Sequence, residues 1–133
     1  MITDTQIDLQ PWEAQASLFK ALAHPARLAI LALLQDGEHC VCHIEAHLGL
    51  RQAYISQQLA VLRAAGLVQD RRDGWNVYYC ISAPAVYPLL AAAAALLGAS
   101  APPDAAVVRA AVVCSCPTCE TGSADPALAA KSA

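Results

Sequence analysis

Apolar residues recur first at helical spacing. Trp12, Ala16, Phe19 and Leu22 fall on one side of a helix, and the polar residues before them read as a loose start. The helix is expected to end near His24, because a residue before proline is pushed out of the helical region. Pro25 suits the first turn of a second helix running through Leu28, Leu31 and Leu34, which Asp36-Gly37 stops. A short segment over 41–48 turns Ile44 and Leu48 inward, and Gly49-Leu50 makes a tight break. A longer helix over 52–65 then puts Ile55, Leu59 and Leu62 on one face, with Gln52, Ser56, Gln57 and Arg63 largely off it, until Gly66 ends it.

After Gly66 the period changes. Residues 67–72 and 75–81 read as two short strands around Asp73-Gly74, with Trp75, Val77, Tyr79 and Ile81 alternating onto one side. Cys80 falls on the face opposite Tyr79, where packing is its expected role. Pro88 is expected to open a last long helix through Leu89, Leu90, Leu96 and Leu97, closed by Gly98, with an alanine run that lets a partner helix approach closely. Pro102-Pro103 marks a boundary. The expected organisation is one domain over 1–101 and a cysteine-containing tail over 102–133 whose end is disordered.

A chain of 133 residues can bury one core. Its apolar content of 57% leans heavily on alanine, which favours helices more than it adds buried area. The stretch 81–103 has no charge, but Pro84, Pro88, Pro102 and Pro103 interrupt it, so a buried dimer-interface helix is expected there and no membrane span. No basic-then-apolar leader is evident, and a cytoplasmic protein with reduced thiols is expected. The net charge of −3 argues against binding nucleic acid through overall charge. Positive charge is local instead: Arg51, Arg63, Arg71 and Arg72 face only Asp70 and Asp73 within 51–73.

A short helix, a glycine break, a longer helix with polar residues near its start and a hairpin bearing two arginines make a winged helix-turn-helix. The fold class is therefore mainly α with a small β-hairpin. An α-helix fits the major groove, where amide and guanidinium groups pair with base edges, while wing arginines can hold phosphates. The expected contacts with double-stranded operator DNA are Arg51, Gln52, Tyr54, Ser56, Gln57 and Gln58 on the helix, with Arg71 and Arg72 on the wing.

The segments KALAHPARLAILALL, HCVCHIEAHLGLRQAYISQQLAVLRAAGLV and RRDGWNVYYCI resemble the ArsR/SmtB family over roughly 18–97. The resemblance implies a repressor that forms a homodimer through its first and last helices. Cys40-Val41-Cys42 is similar to the Cys-Val-Cys of the family's metal- and arsenic-sensing members, in which ligation is coupled to DNA reading. In arsenic sensors with all ligands on this helix a third cysteine follows three residues later; here Glu45 stands there.

A helix N-terminus favours the thiolate, which is the ligand form. Two thiols make a weak site, and no cysteine precedes Cys40, so a third ligand must come from elsewhere; Cys114, Cys116 and Cys119 in the tail are the candidates, with Glu45, a histidine or solvent as the alternative if they are accessory. Three thiolates suit As(III) or Sb(III), and four suit Cd, Pb or Zn. The tail cluster could also form a metal site of its own. His39, His43 and His47 recur every fourth residue; His43 and His47 have the spacing of a zinc-type pair on one helical face, but a solvated face is expected. The interface zinc site of the family needs Asp, His or Glu on the last helix, and 82–101 holds none.

The runner-up is a redox or persulfide sensor of the same fold. An enzymatic reading of Cys116-Pro117-Thr118-Cys119 as a dithiol oxidoreductase lacks the required strand and helix around it, so no enzyme is expected.

Overall fold

The structure is a computed structural model in which residues 6–99 are described. The tail cysteines Cys114, Cys116 and Cys119 and the boundary at Pro102-Pro103 lie outside these residues. Five helices and three strands follow in the order α1 (Gln10–Leu22), α2 (Pro25–Leu34), β1 (His39–Cys40), α3 (Val41–Leu48), α4 (Gln52–Ala64), β2 (Val68–Asp73), β3 (Asn76–Ile81) and α5 (Val86–Leu96).

Each break has a local cause. His24 is extended and its ring nitrogen accepts the Ala26 N–H, so the residue that ends α1 also caps α2, with Pro25 in the first helical position. Gly49 takes a left-handed φ of 65° at the end of α3, and its N–H returns to the Glu45 carbonyl. Gly74, also left-handed, begins the two-residue turn that pairs Asp73 with Asn76. Pro88 lies inside the first turn of α5, two residues after its start at Val86. Proline is tolerated there because first-turn N–H groups have no partner within the helix.

The core gathers Ile30, Leu31, Leu33 and Leu34 of α2, Ile44 of α3, and Ile55, Leu59 and Leu62 of α4. The α4 residues fall at i, i+4 and i+7, which is the stripe read from the sequence. The hairpin is extended by one strand: β1 pairs with β3, giving an antiparallel sheet of order β1-β3-β2. The sequence pattern predicts no strand there, since two residues are too short to show a period. The expected side-by-side placement of Trp75 with Val77, Tyr79 and Ile81 is corrected as well. Trp75 sits fully exposed at the turn, while Tyr79 and Ile81 pack on the main core. Tyr78, on the opposite face, is buried beside Cys40 together with Cys42 and Ala46.

Trp12 and Phe19 of α1, Leu28 of α2 and Leu96 of α5 are exposed, followed by Leu97. A groove of about 500 Å³ runs between α2 and α5, with Leu28, Ala32, Tyr87, Leu90 and Ala94 among its lining residues. No single helix among the described residues is long and apolar enough to cross a membrane.

Candidate functional site

Polar side chains at the start of α4 divide into two sets. Arg51, Gln52, Ser56 and Gln57 are exposed. Gln58 is not: it is 7% exposed, and its Oε1 accepts a 2.8 Å hydrogen bond from Arg27 Nε of α2. Its expected place at the DNA surface is therefore corrected. Position 58 lies three residues after Ile55 on the inward face, so the helix carries a polar group into the core, where Arg27 satisfies it. The same guanidinium donates to the carbonyls of Lys20 and Ala21, tying the end of α1 to α2 and α4. Tyr54 is half-buried, and its hydroxyl lies 3.0 Å from His24 Nε2.

On the wing, Arg72 is exposed and Arg71 is engaged by its own chain. Arg71 Nη2 and Nε donate to the two Glu38 carboxylate oxygens at 2.6 and 3.1 Å, and the guanidinium lies 4.8 Å above the Tyr78 ring centre. Donating these hydrogen bonds to Glu38 raises the guanidinium pKa above its ordinary value. Glu38 immediately precedes β1, and nothing in the local sequence pattern marks it as a partner of the wing.

Cys40 and Cys42 come together at the junction of sheet and helix. Cys40 is buried, belongs to β1, and caps α3 through the His43 N–H, which donates to its Sγ at 3.3 Å. The Cys42 Sγ lies 2.8 Å from that sulfur. The two thiols meet at one helix N-terminus, where partial positive charge favours the thiolate, the form that binds soft ions. Among the described residues no group of three His, Cys, Asp or Glu converges to complete it. Cys80, with Gln69 Nε2 donating to its sulfur at 3.4 Å, is half-buried at the far strand pair.

The histidine stripe is not the solvated face expected for it. His39 and His43 stack with ring centres 4.3 Å apart, and His43 and His47 follow at 4.2 Å. The His39 Nε2 is buried with no hydrogen-bond partner. Burial, then the neighbouring imidazoles His39 and His47, push His43 down to about 4.

Comparison with known proteins agrees with this architecture. The family described as "Bacterial regulatory protein, arsR family" matches residues 24–70, which run from the α2 cap into β2. The chain is 45% identical over 87 residues to the HTH-type transcriptional regulator Rv0081 of Mycobacterium tuberculosis, covering 65% of this chain and 76% of that one. The crystal structure of Rv0081 superposes with a TM-score of 0.60 over 66% of this chain and 89% of that one. A homodimeric winged helix-turn-helix DNA-binding domain, Mb0332 from Mycobacterium bovis, is 34% identical, with a TM-score of 0.60 over 72% of this chain and 91% of that one. Reduced HlyU from Vibrio cholerae is 36% identical, with a TM-score of 0.57 over 63% and 92% respectively. With α3, α4 and the β2–β3 wing in this arrangement, the chain belongs to the ArsR family of bacterial regulatory proteins, winged helix-turn-helix transcriptional regulators and not enzymes.

Proposed function

We propose that this chain is a repressor that binds operator DNA as a homodimer and lets go when its cysteine thiolates capture a thiophilic ion. The exposed apolar face of α1, α2 and α5 is what a second copy would cover. Pairing two copies presents two α4 helices and two wings to successive major grooves. In this reading Arg51, Gln52, Ser56 and Gln57 face the groove, and Tyr54, Arg71 and Arg72 hold the backbone.

The observation that carries the switch is the position of Cys40. It belongs to the strand that pairs with the wing and also caps the helix that leads into α4. Any change in the separation of the Cys40 and Cys42 sulfurs therefore acts on the wing through the β1–β3 pairing and on α4 through α3 and the short break after it. A bound As(III) or Sb(III) ion would supply bonds tying these sulfurs to a third thiolate from Cys114, Cys116 or Cys119; Cd, Pb or Zn would draw on four. Reduced thiols of this kind fit a cytoplasmic protein.

A second reading is favoured by one distance. Sulfurs 2.8 Å apart are already closer than two ligands bonded to one zinc-sized ion, so oxidation is a short step. Peroxide would take two electrons and two protons from the thiol pair, leaving the disulfide and two molecules of water. The test is titration of a preformed operator complex with arsenite, antimonite or Cd²⁺ under reducing conditions, and separately with peroxide in the presence of a chelator. Release by the ions supports the first reading. Release by peroxide alone selects the second, and release by neither removes both.

A further inference from the structure

His24 joins two elements that the DNA-binding reading treats separately. Its Nδ1 accepts the Ala26 N–H at 3.1 Å, and its Nε2 lies 3.0 Å from the Tyr54 hydroxyl. The two contacts are not independent. A ring nitrogen that accepts a hydrogen bond carries no proton, so capping α2 through Nδ1 places the single proton of the neutral ring on Nε2. Nε2 must then donate, and the Tyr54 oxygen must accept. The hydroxyl hydrogen of Tyr54 is left without a claim from His24.

That hydrogen sits at a particular place. Tyr54 is the third residue of α4 and half-buried, on the flank that leans toward α2, as does Gln58 toward Arg27. The outward line of α4 is occupied by Gln52, Ser56 and Gln57, which are exposed. A hydroxyl on the flank of a recognition helix faces the wall of the groove, where the acceptors are phosphate oxygens.

We propose that His24, by capping α2, forces Tyr54 to act as a one-directional hydrogen-bond donor to an operator phosphate. His24 is thus a positioning residue and Tyr54 the contact. The arrangement sets the spacing between the start of α2 and the start of α4, and it turns a side chain that could both give and accept into one that only gives. An anionic phosphate oxygen accepts and never donates, so the preset direction matches its partner and nothing needs to reorient on binding. This inference rests on the reading of α4 as the DNA-contacting helix.

The test measures affinity by fluorescence anisotropy for two duplexes of about 30 base pairs, long enough for paired half-sites. One is selected from a random-sequence pool by the wild-type protein, and the other is scrambled. The variants are Tyr54→Phe, His24→Asn, His24→Gln and the double variant Tyr54→Phe with His24→Asn. Asn keeps a side-chain oxygen to cap α2 but cannot reach Tyr54, whereas the longer Gln carries a terminal N–H donor toward the position of Nε2.

Tyr54→Phe should weaken binding about tenfold to both duplexes alike, the loss of a hydrogen bond to a charged acceptor. His24→Asn should weaken binding by a similar factor, the double variant should be no worse than Tyr54→Phe alone, and His24→Gln should bind more tightly than His24→Asn. Additive losses in the double variant would overturn the link between the two residues. A Tyr54→Phe effect confined to one base position would show base reading and overturn the phosphate assignment, and wild-type affinity in Tyr54→Phe would overturn the contact altogether. Thermal melts of each variant establish that it is folded at the assay temperature. If the wild-type protein selects no duplex at all, it is the DNA-binding reading that fails.

Discussion

Cys40 of β1 stands directly opposite Tyr78 of β3 in the antiparallel register, and the two pack together as a small buried cluster beside the main core. The Tyr78 ring in turn lies under the Arg71 guanidinium, whose Nε and Nη2 are bound by Glu38. Cys40 and a wing arginine are thereby separated by a single aromatic ring. Motion of the Cys40 sulfur has a short mechanical route to the wing that does not pass through α4.

If Arg71 holds an operator phosphate as proposed, Glu38 competes with DNA for it. A guanidinium bound bidentately by a carboxylate must give up those bonds, or share them, to hold a phosphate. Glu38→Gln should therefore tighten binding to operator and scrambled DNA alike and steepen the dependence of affinity on salt, because one more cation becomes available to displace counterions. Unchanged affinity and salt slope would show that Arg71 does not contact DNA.

Cys40→Ser and Cys42→Ser should each leave operator affinity within about threefold of wild type and abolish release by arsenite, antimonite or Cd²⁺, since serine keeps the shape and loses the soft ligand. A serine variant that is still released at the wild-type ion concentration would place the site elsewhere.

Truncation after Pro103 separates the roles of the tail cysteines. If Cys114, Cys116 or Cys119 completes the site, the inducer concentration needed for release should rise by orders of magnitude. Coupling is reciprocal, so DNA should weaken ion binding to the full chain by the same factor by which the ion weakens DNA, within a usual range of about 1–3 kcal/mol. An unaltered release curve would make those cysteines accessory.

Leu62 is wholly buried between α4 and the rest of the core. Leu62→Ala should cost about 2–5 kcal/mol, read as a shift in the urea midpoint at fixed protein concentration. Ser56→Ala, on the exposed face of α4, should hardly move that midpoint. Equal shifts would contradict the assignment of inner and outer faces.

The histidine stack sets the sign of the acid response in metal-free protein. His43 lies at about 4, lowered first by burial and then by His39 and His47; His39 is also lowered, by burial ahead of His47, against opposing contributions from the Leu33 backbone and Glu38. A base depressed in the folded state stays neutral where the unfolded chain, at about 6.5, has taken up a proton. Its neutral burial is therefore tolerated fully above that value, and stability falls as pH drops from about 6.5 to about 4. His43→Gln should flatten the fall measured by urea unfolding across this window; a slope identical to wild type would remove the assignment.

The helices and their breaks were legible in the sequence because their causes lie within a few residues. The stripe of Ile55, Leu59 and Leu62, the prolyl start of α2, and the glycines at positions 49 and 74 each act locally. The pairing of polar groups was not legible. Gln58 meets Arg27 across 31 positions, Tyr54 meets His24 across 30, and Arg71 meets Glu38 across 33. No period or turn rule relates residues so far apart. Whether an α4 glutamine reads DNA or anchors α2, which way a tyrosine hydroxyl points, and whether a wing arginine is already engaged are decided only when packing brings distant elements together. A buried polar group must then find its hydrogen-bond partner among whatever side chains the fold has placed beside it.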